Sequence, residues 1–319
     1  MRLVFMGTPE FARRPLAYLA GTGHELAAVV TGPDKPAGRG RKLMPTPVRV
    51  EAERHNIPVL TPKSLKSKKL HGQLSEIAAD LFVVVAFRIL PQTLFELPRL
   101  GAINIHGSLL PKYRGAAPIN WAIMNGESET GLSSFFLKQE VDSGDIIAQE
   151  KIGIDENDSF DSLYLKMADM AGPFLARTLN LIESGKAEPI PQIPTDISEA
   201  PKLKPEDGRI NFDLPVRNVY DFVRGLSSKP AAYSKFRGEK LKILGCQRAD
   251  IEISPDTQPG SIIPDKKRLL IACSEGAIEV TRLIPQGKKE MDGRSFVNGL
   301  RPSDGEIVGE TIVEGHSKK

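Results

Sequence analysis

The most constraining feature of the chain is the run Leu81–Ala86, LFVVVA, in which six residues in a row are apolar and three are Val. A strand with one wet face alternates apolar and polar side chains. A run without alternation, rich in β-branched residues, has both faces buried, as in the middle of a parallel sheet covered by helices on each side. Its neighbours fit that architecture. Arg2–Met6 (RLVFM), His24–Thr31 (HELAAVVT) and Gly101–His106 (GAINIH) read as further strands, with a strand stub at Val59–Leu60. Helical patterns fall between them: one opened by Thr8 as cap with Pro9 at the first helical position and running through Leu19, then Pro47–His55, a helix within Lys63–Ile77, and Pro91–Leu97. Strands alternating with helices at this spacing predict an α/β domain with a mostly parallel, doubly wound sheet.

The pattern changes after residue 150. Thr130–Lys138 and Ile146–Ile152 read as strands, and Ser159–Gly185 as one long helix carrying Gly172-Pro173. Five prolines and scattered charge then mark Glu188–Asp207 as a linker. Beyond it lie a helix at Val216–Leu226 and short strands at Lys240–Leu244, Arg268–Cys273 and Ala277–Ile284, the signature of a small β-barrel. The expected division is therefore 1–188, a linker at 189–207, and 208–319.

Charge narrows the partners. The 319 residues hold 43 basic against 40 acidic groups, too even a balance for a general nucleic-acid coater, so any polyanion site must be local. Residues 202–319 are the more basic part, with 21 basic and 17 acidic residues. So is the loop Gly32–Thr46, with four basic residues among its glycines and prolines. Two cysteines, Cys246 and Cys273, make neither a disulfide framework nor a metal-ligand spacing, which suits a reducing cytoplasm. The opening residues read as a strand and not a signal peptide, and no apolar run approaches the ~20 residues of a membrane span. A cytoplasmic monomer without a metal is expected.

The chemistry concentrates in Asn104–Ile119, NIHGSLLPKYRGAAPI. Asn104 and His106 are two apart at a strand end, so both side chains share one face, and the crevice beyond such strand ends is where open α/β sheets bind ligands. A lone His is ordinarily a satisfied structural residue; an Asn on the same face at a strand end argues for a site. Downstream, Val141–Asp145 (VDSGD) places two acids on a tight turn. That is ordinary turn chemistry, or one carboxylate orients a His across a cleft. Spacing alone leaves both open.

NIHGSLLPKYRGAAPI followed by VDSGD resembles the signature of the folate-dependent formyltransferases. FMGTPEFA at the start, PDKPAGRGRKLMPTPV in the first long loop and GKKEMDGRSFVNG near the end extend that resemblance over essentially the whole chain. It implies a Rossmann-like formyltransferase domain followed by an OB-like barrel. The implied reaction moves formyl from 10-formyltetrahydrofolate to the α-amino group of methionyl initiator tRNA. Carried over by position, the catalytic residues are Asn104, His106 and Asp142, and the folate contacts are Ser108, Leu109, Leu110 and Pro111. The residue chemistry agrees. Asn104 can donate an N–H to the oxyanion formed when an amine attacks the formyl carbon. His106 can move the proton, and Asp142 can favour its charged form.

The same resemblance assigns the basic loop to the tRNA acceptor stem through Arg39, with Arg41 and Lys42 beside it. Lys235, Arg237, Lys240, Lys242, Lys288 and Lys289 of the barrel would add phosphate contacts. Gly38 and Gly40 allow close approach, and an Arg fork matches phosphate oxygens. One departure from the pattern is Phe87-Arg88-Ile89-Leu90-Pro91, a residue shorter than usual, with Arg88 in place of a small residue near the expected folate pocket. Relatives acting on a glycinamide nucleotide have one domain, which the residues beyond Leu203 disfavour. Those acting on amino-sugar nucleotides carry a barrel, and the basic loop and the GKKEM stretch favour tRNA over them.

Overall fold

The structure, a computed structural model, describes residues 1–37 and 42–309. It divides into two units. The first holds Met1–Pro118, Glu129–Ile154 and Ser162–Pro201, and the second holds Ile119–Ser128, Asp155–Asp161 and the chain from Lys202 onward.

In chain order the first part runs β1 (Arg2–Gly7), α1 (Glu10–Leu19), β2 (Glu25–Val30), β3 (Lys35–Ala37), β4 (Lys42–Met44), α2 (Pro47–Arg54), β5 (Val59–Leu60), α3 (Lys68–Ile77), β6 (Leu81–Val85), α4 (Gln92–Phe95) and β7 (Ala102–His106). There follow β8 (Arg114–Gly115), α5 (Pro118–Met124), β9 (Glu129–Phe136), β10 (Ile146–Gly153), α6 (Phe160–Glu183) and β11 (Glu199–Ala200). The main sheet has the order β10-β9-β7-β6-β1-β2-β5. From β7 to β5 all pairs are parallel, while β9 and β10 add an antiparallel edge. The strand order reverses direction between β1 and β6, which opens a crevice at their C-terminal ends. All five residues of β6 are buried, as a central strand requires. One face of the sheet packs Val4, Met6, Val30, Phe82 and Val84 against Leu70, Leu74 and Leu94 of the helices.

Two local expectations need correction. Pro9 is itself the cap of α1 and Thr8 makes no cap bond; the first-turn N–H of Phe11 donates instead to the distant Tyr164 hydroxyl at 2.8 Å. Residues 32–46 are not merely a loop, because β3 and β4 pair antiparallel as a hairpin. The base of that hairpin is closed by the Thr31 and Thr46 hydroxyls, 2.8 Å apart. At α2 a side-chain cap is present: Thr46 Oγ1 accepts from the Arg49 N–H at 3.1 Å.

The second unit contains α7 (Val216–Leu226), β12 (Ala232–Phe236), β13 (Glu239–Ala249), β14 (Ile262–Ile263), β15 (Leu269–Ala272), β16 (Ala277–Pro285) and α8 (Gly293–Leu300). Its five strands form one antiparallel half-barrel sheet, ordered β12-β13-β16-β15-β14. Leu241, Ile243, Ile271, Ile278 and Val280 fill its inner face together with Val219 and Val223 of α7 and Phe296 of α8. Asp292 caps α8 by accepting from the Ser295 N–H at 2.6 Å.

Candidate active site

His106 closes β7, where Asn104 pairs with Val84 of β6 on one side and Phe135 of β9 on the other. Both lie at the crevice end of the parallel strands. His106 is buried and its Nε2 stands 2.8 Å from the Tyr113 carbonyl oxygen. A carbonyl only accepts, so Nε2 carries a proton and, in the neutral ring, Nδ1 does not. Nδ1 faces Asp142 Oδ2 at 3.7 Å. That is a charge-pair distance and longer than a hydrogen bond. The carboxylate is anchored elsewhere, since its Oδ2 accepts the Gly115 N–H at 2.9 Å. The half-buried Asn104 side chain makes no hydrogen bond to any described residue, which leaves its amide free for a ligand.

Asp142 sits on the turn joining β9 to β10 with φ of +52°, a left-handed conformation that Asp tolerates better than most residues. Two residues on, Gly144 passes so close to the strand that a Cβ there would lie 1.6 Å from the Phe136 carbonyl oxygen. Only glycine permits that approach. The second acid of VDSGD, Asp145, pairs with Lys138 at 2.7 Å, so Asp142 is the acid facing the imidazole.

Further polar side chains hold these loops, and the sequence patterns did not single them out. Ser133, fully buried on β9 and paired in register with His106, donates to the Ser108 carbonyl at 2.7 Å and accepts from the Leu110 N–H at 3.0 Å. Gln149 Nε2 donates to the Leu110 carbonyl and to Ser133 Oγ, both at 2.8 Å. Ser198 Oγ accepts from the Tyr113 N–H at 2.9 Å. Gln192 Nε2 donates to the carbonyls of Asp142 and Gly144 at 2.8 and 2.9 Å. Gln192 and Ser198 belong to the stretch expected to be a linker. Up to Pro201 that stretch belongs to the first unit, where Ile190 bridges Ile146 and β11 pairs with β8. The one signal available was polar residues scattered among isoleucines and prolines, which linker chemistry imitates.

Of the residues expected at the folate, Ser108 and Leu110 are buried and Leu109 and Pro111 half-buried. Ser108 Oγ donates to the Lys112 carbonyl at 2.6 Å. Leu109 packs on Gly131, where a Cβ would come within 2.5 Å of its side chain. Arg88 lies over the Phe87 ring, 5.2 Å from its centre, and donates to the carbonyls of Pro62 and Lys63 at 3.0 and 3.2 Å. Its guanidinium is thus tied to the segment after β5, and burial lowers its pKa from the ordinary value.

Arg39 and Arg41 lie outside the described residues, and Lys42 enters β4 through its backbone. In the half-barrel, Leu241 and Ile243 point inward, so Lys240 and Lys242 share the opposite face of β13. Lys240 Nζ stands 3.5 Å from the centre of the Tyr233 ring. The turn carrying the exposed Lys288 and Lys289 lies alongside, since the Gln286 N–H donates to the Lys240 carbonyl at 2.9 Å. Arg237 differs from these lysines. It is committed to Glu306, with contacts of 2.6 and 2.9 Å. Both cysteine thiols are pushed up by burial, that of Cys273 to about 12, which keeps them unreactive. Among the described residues no group of His, Cys, Asp and Glu could hold a metal ion, and no helix is long and apolar enough to cross a membrane.

Comparison with known proteins gives the family of the chain. The formyl transferase model matches residues 1–179, and the model of the formyl transferase C-terminal domain matches residues 202–301. A protein of Bacteroides fragilis named methionyl-tRNA formyltransferase is 41% identical over 308 residues, 94% of this chain and 95% of its own. One of Pelobacter propionicus with the same name is 41% identical over 313 residues, 98% of this chain and 97% of its own. Among solved structures, HypX from Aquifex aeolicus in complex with tetrahydrofolic acid shares the fold, with a TM-score of 0.64 at 19% identity. It aligns with 94% of this chain, which spans about half of HypX, 47%. With both of its domains matched and relatives of this identity along its length, the chain belongs to the formyl transferase family.

Proposed function

We propose that this formyltransferase takes its formyl group from 10-formyltetrahydrofolate and delivers it to the α-amino group of methionyl initiator tRNA, in the cytoplasm and as a monomer. The observation that carries the reading is the strand-end arrangement of Asn104, His106 and Asp142. It supplies an uncommitted amide donor, an imidazole with one nitrogen fixed and the other bare, and a carboxylate 3.7 Å from that bare nitrogen. Residues 1–188 hold this chemistry, and 208–319 are assigned to the tRNA.

The folate cosubstrate supplies the formyl carbon that the amine attacks. The donor set suits it: Leu109 offers apolar surface for a flat ring, and the backbone of residues 108–111 offers polar edges. Asn104 donates its N–H to the formyl oxygen as negative charge builds there, a contact worth about 10²–10³ in rate. His106 Nδ1, bare while Tyr113 holds the proton on Nε2, accepts the proton that the attacking nitrogen sheds. The imidazolium so formed lies beside the Asp142 carboxylate, which favours it. His106 then returns the proton to the departing nitrogen, so its protonation state is restored at each turnover.

The test is incubation with labelled 10-formyltetrahydrofolate and charged initiator tRNA, with an amino-sugar nucleotide offered in parallel. Labelled formylmethionine released from the tRNA supports the reading. Label on the sugar nucleotide alone overturns it.

A further inference from the structure

Residues 190–197 have an inverted surface. Ile190, Ile193 and Ile197 are 67, 60 and 41% exposed, while the side chain turned inward is the amide of Gln192. Burial of apolar area would favour the opposite arrangement. Every hydrogen-bonding position of that amide is filled. Nε2 donates to the carbonyls of Asp142 and Gly144. Oε1 accepts from Arg114 Nε at 3.0 Å and from Arg114 Nη2 at 2.8 Å. Arg114 immediately follows Tyr113, whose carbonyl holds His106 Nε2. It precedes Gly115, whose N–H holds the Asp142 carboxylate. One amide therefore ties together the two loops that fix opposite sides of the His106–Asp142 pair.

We infer that Gln192 is a positioning residue for formyl transfer, setting the separation of His106 and Asp142 by bridging Arg114 to the backbone of the Asp142 turn. The inference rests on the reading of His106 and Asp142 as the catalytic pair. The bridge has a polarity that glutamine satisfies and glutamate does not. Glutamate in its place would keep both acceptors for Arg114, lose both donors, and set a negative oxygen against two carbonyls. The turn bearing Asp142, already left-handed at that residue, would move away. Displacements of about 1 Å at such a site cost about 100-fold in rate.

The experiment compares Gln192→Glu, Gln192→Ala and Arg114→Met with the parent enzyme and with His106→Ala, measuring kcat, both KM values and the melting temperature. The amide signal of Gly115 is followed by NMR as a readout independent of turnover. Gln192→Glu and Gln192→Ala are expected to lose about 10- to 100-fold in kcat. Both KM values should stay within about threefold, and the Gly115 signal should shift. Arg114→Met keeps the two N–H donors of Gln192 and should lose less. Should Gln192→Ala fail to fold, Gln192→Glu, which keeps the Arg114 contacts, still decides. Parental kcat in folded Gln192→Glu, or a loss confined to KM, overturns the inference while an inactive His106→Ala leaves the reading of the site standing. Full turnover by His106→Ala would overturn that reading and the inference with it.

Discussion

The loops around His106 and the lysine face of β13 are both polar, but their side chains are used in opposite ways. Ser133 makes three hydrogen bonds and Gln192 four, each within the protein. Lys242, Lys288 and Lys289 are exposed and their charges face solvent. The contrast fits the proposed tasks. Moving a proton between neighbouring atoms tolerates errors of a few tenths of an ångström, and buried, saturated hydrogen bonds supply that precision. Attraction of a polyanion needs only charges in sufficient number, since each works through released counterions. The half-barrel also shows what a committed cation looks like: Arg237, beside the same sheet, is held by Glu306.

The comparison can be broken at several points. The largest expected effect is on chemistry: His106→Ala or Asn104→Ala should lower kcat by about 10²- to 10³-fold in protein that still folds. Normal turnover in a folded variant of either kind would remove the distinction between the two regions. Next comes Ser133→Ala, which strips a buried serine of three partners. It should cost about 1–3 kcal/mol of stability in urea unfolding and weaken folate binding by calorimetry; unchanged folate affinity would show that the 108–111 loop needs no clamp. Arg39→Ala should reduce kcat/KM for charged initiator tRNA about 5- to 150-fold at saturating folate. Equal efficiency for variant and parent would make that loop bystander surface.

Smaller effects sharpen the contrast. Lys240→Gln and Lys242→Gln should leave kcat intact, weaken tRNA binding a few-fold, and lower the slope of log affinity against log salt by about 0.9 each. An unchanged slope would exclude that face from the tRNA contact. The smallest effect concerns Arg237→Gln. The side-chain bonds from Arg237 hold the Glu306 carboxyl below its ordinary pKa. A carboxyl depressed in the folded state stabilises above its unfolded pKa, near 4.3, and that stability is lost as pH falls through the lower folded value. The variant should therefore melt slightly below the parent at pH 7, an exposed pair contributing little, and the two melting curves should converge as pH falls through the folded-state pKa of the carboxyl. A gap that persists at low pH would assign the effect to packing.

Elements with a repeating pattern were legible in the sequence. The continuous apolar runs of β1 and β6 and the helix Val216–Leu226 announce themselves because burial selects a whole face at once. The strand-end pair Asn104 and His106 was legible through the two-residue period alone. The clamps were not. Ser133 contacts residue 108, Gln192 contacts residue 142, and Ser198 contacts residue 113, and in each case the partner is a backbone group. Backbone groups are the same at every position, so such contacts leave no complementary residue to find. β12 was passed over for a related reason: in AYSKF the charged and hydroxyl residues mask a strand whose alternate side chains are buried. The Pro-rich composition of 188–207 described its backbone freedom and concealed how much of it is spent against the first unit.

Gly144 makes no chemical contribution of its own, yet the 1.6 Å that a Cβ would leave to the Phe136 oxygen closes the position to every other amino acid unless the turn moves, and the turn carries Asp142. In a saturation library selected for activity, residue 144 should therefore accept nothing else, as His106 does, although its side chain is a single hydrogen atom. The two invariances would have different origins and separate on a stability screen: His106 should there admit other side chains that fill its site and donate to the Tyr113 carbonyl, whereas Gly144 should stay fixed. A ranking of positions by mutational intolerance alone would place a silent atom of backbone among the reactive groups.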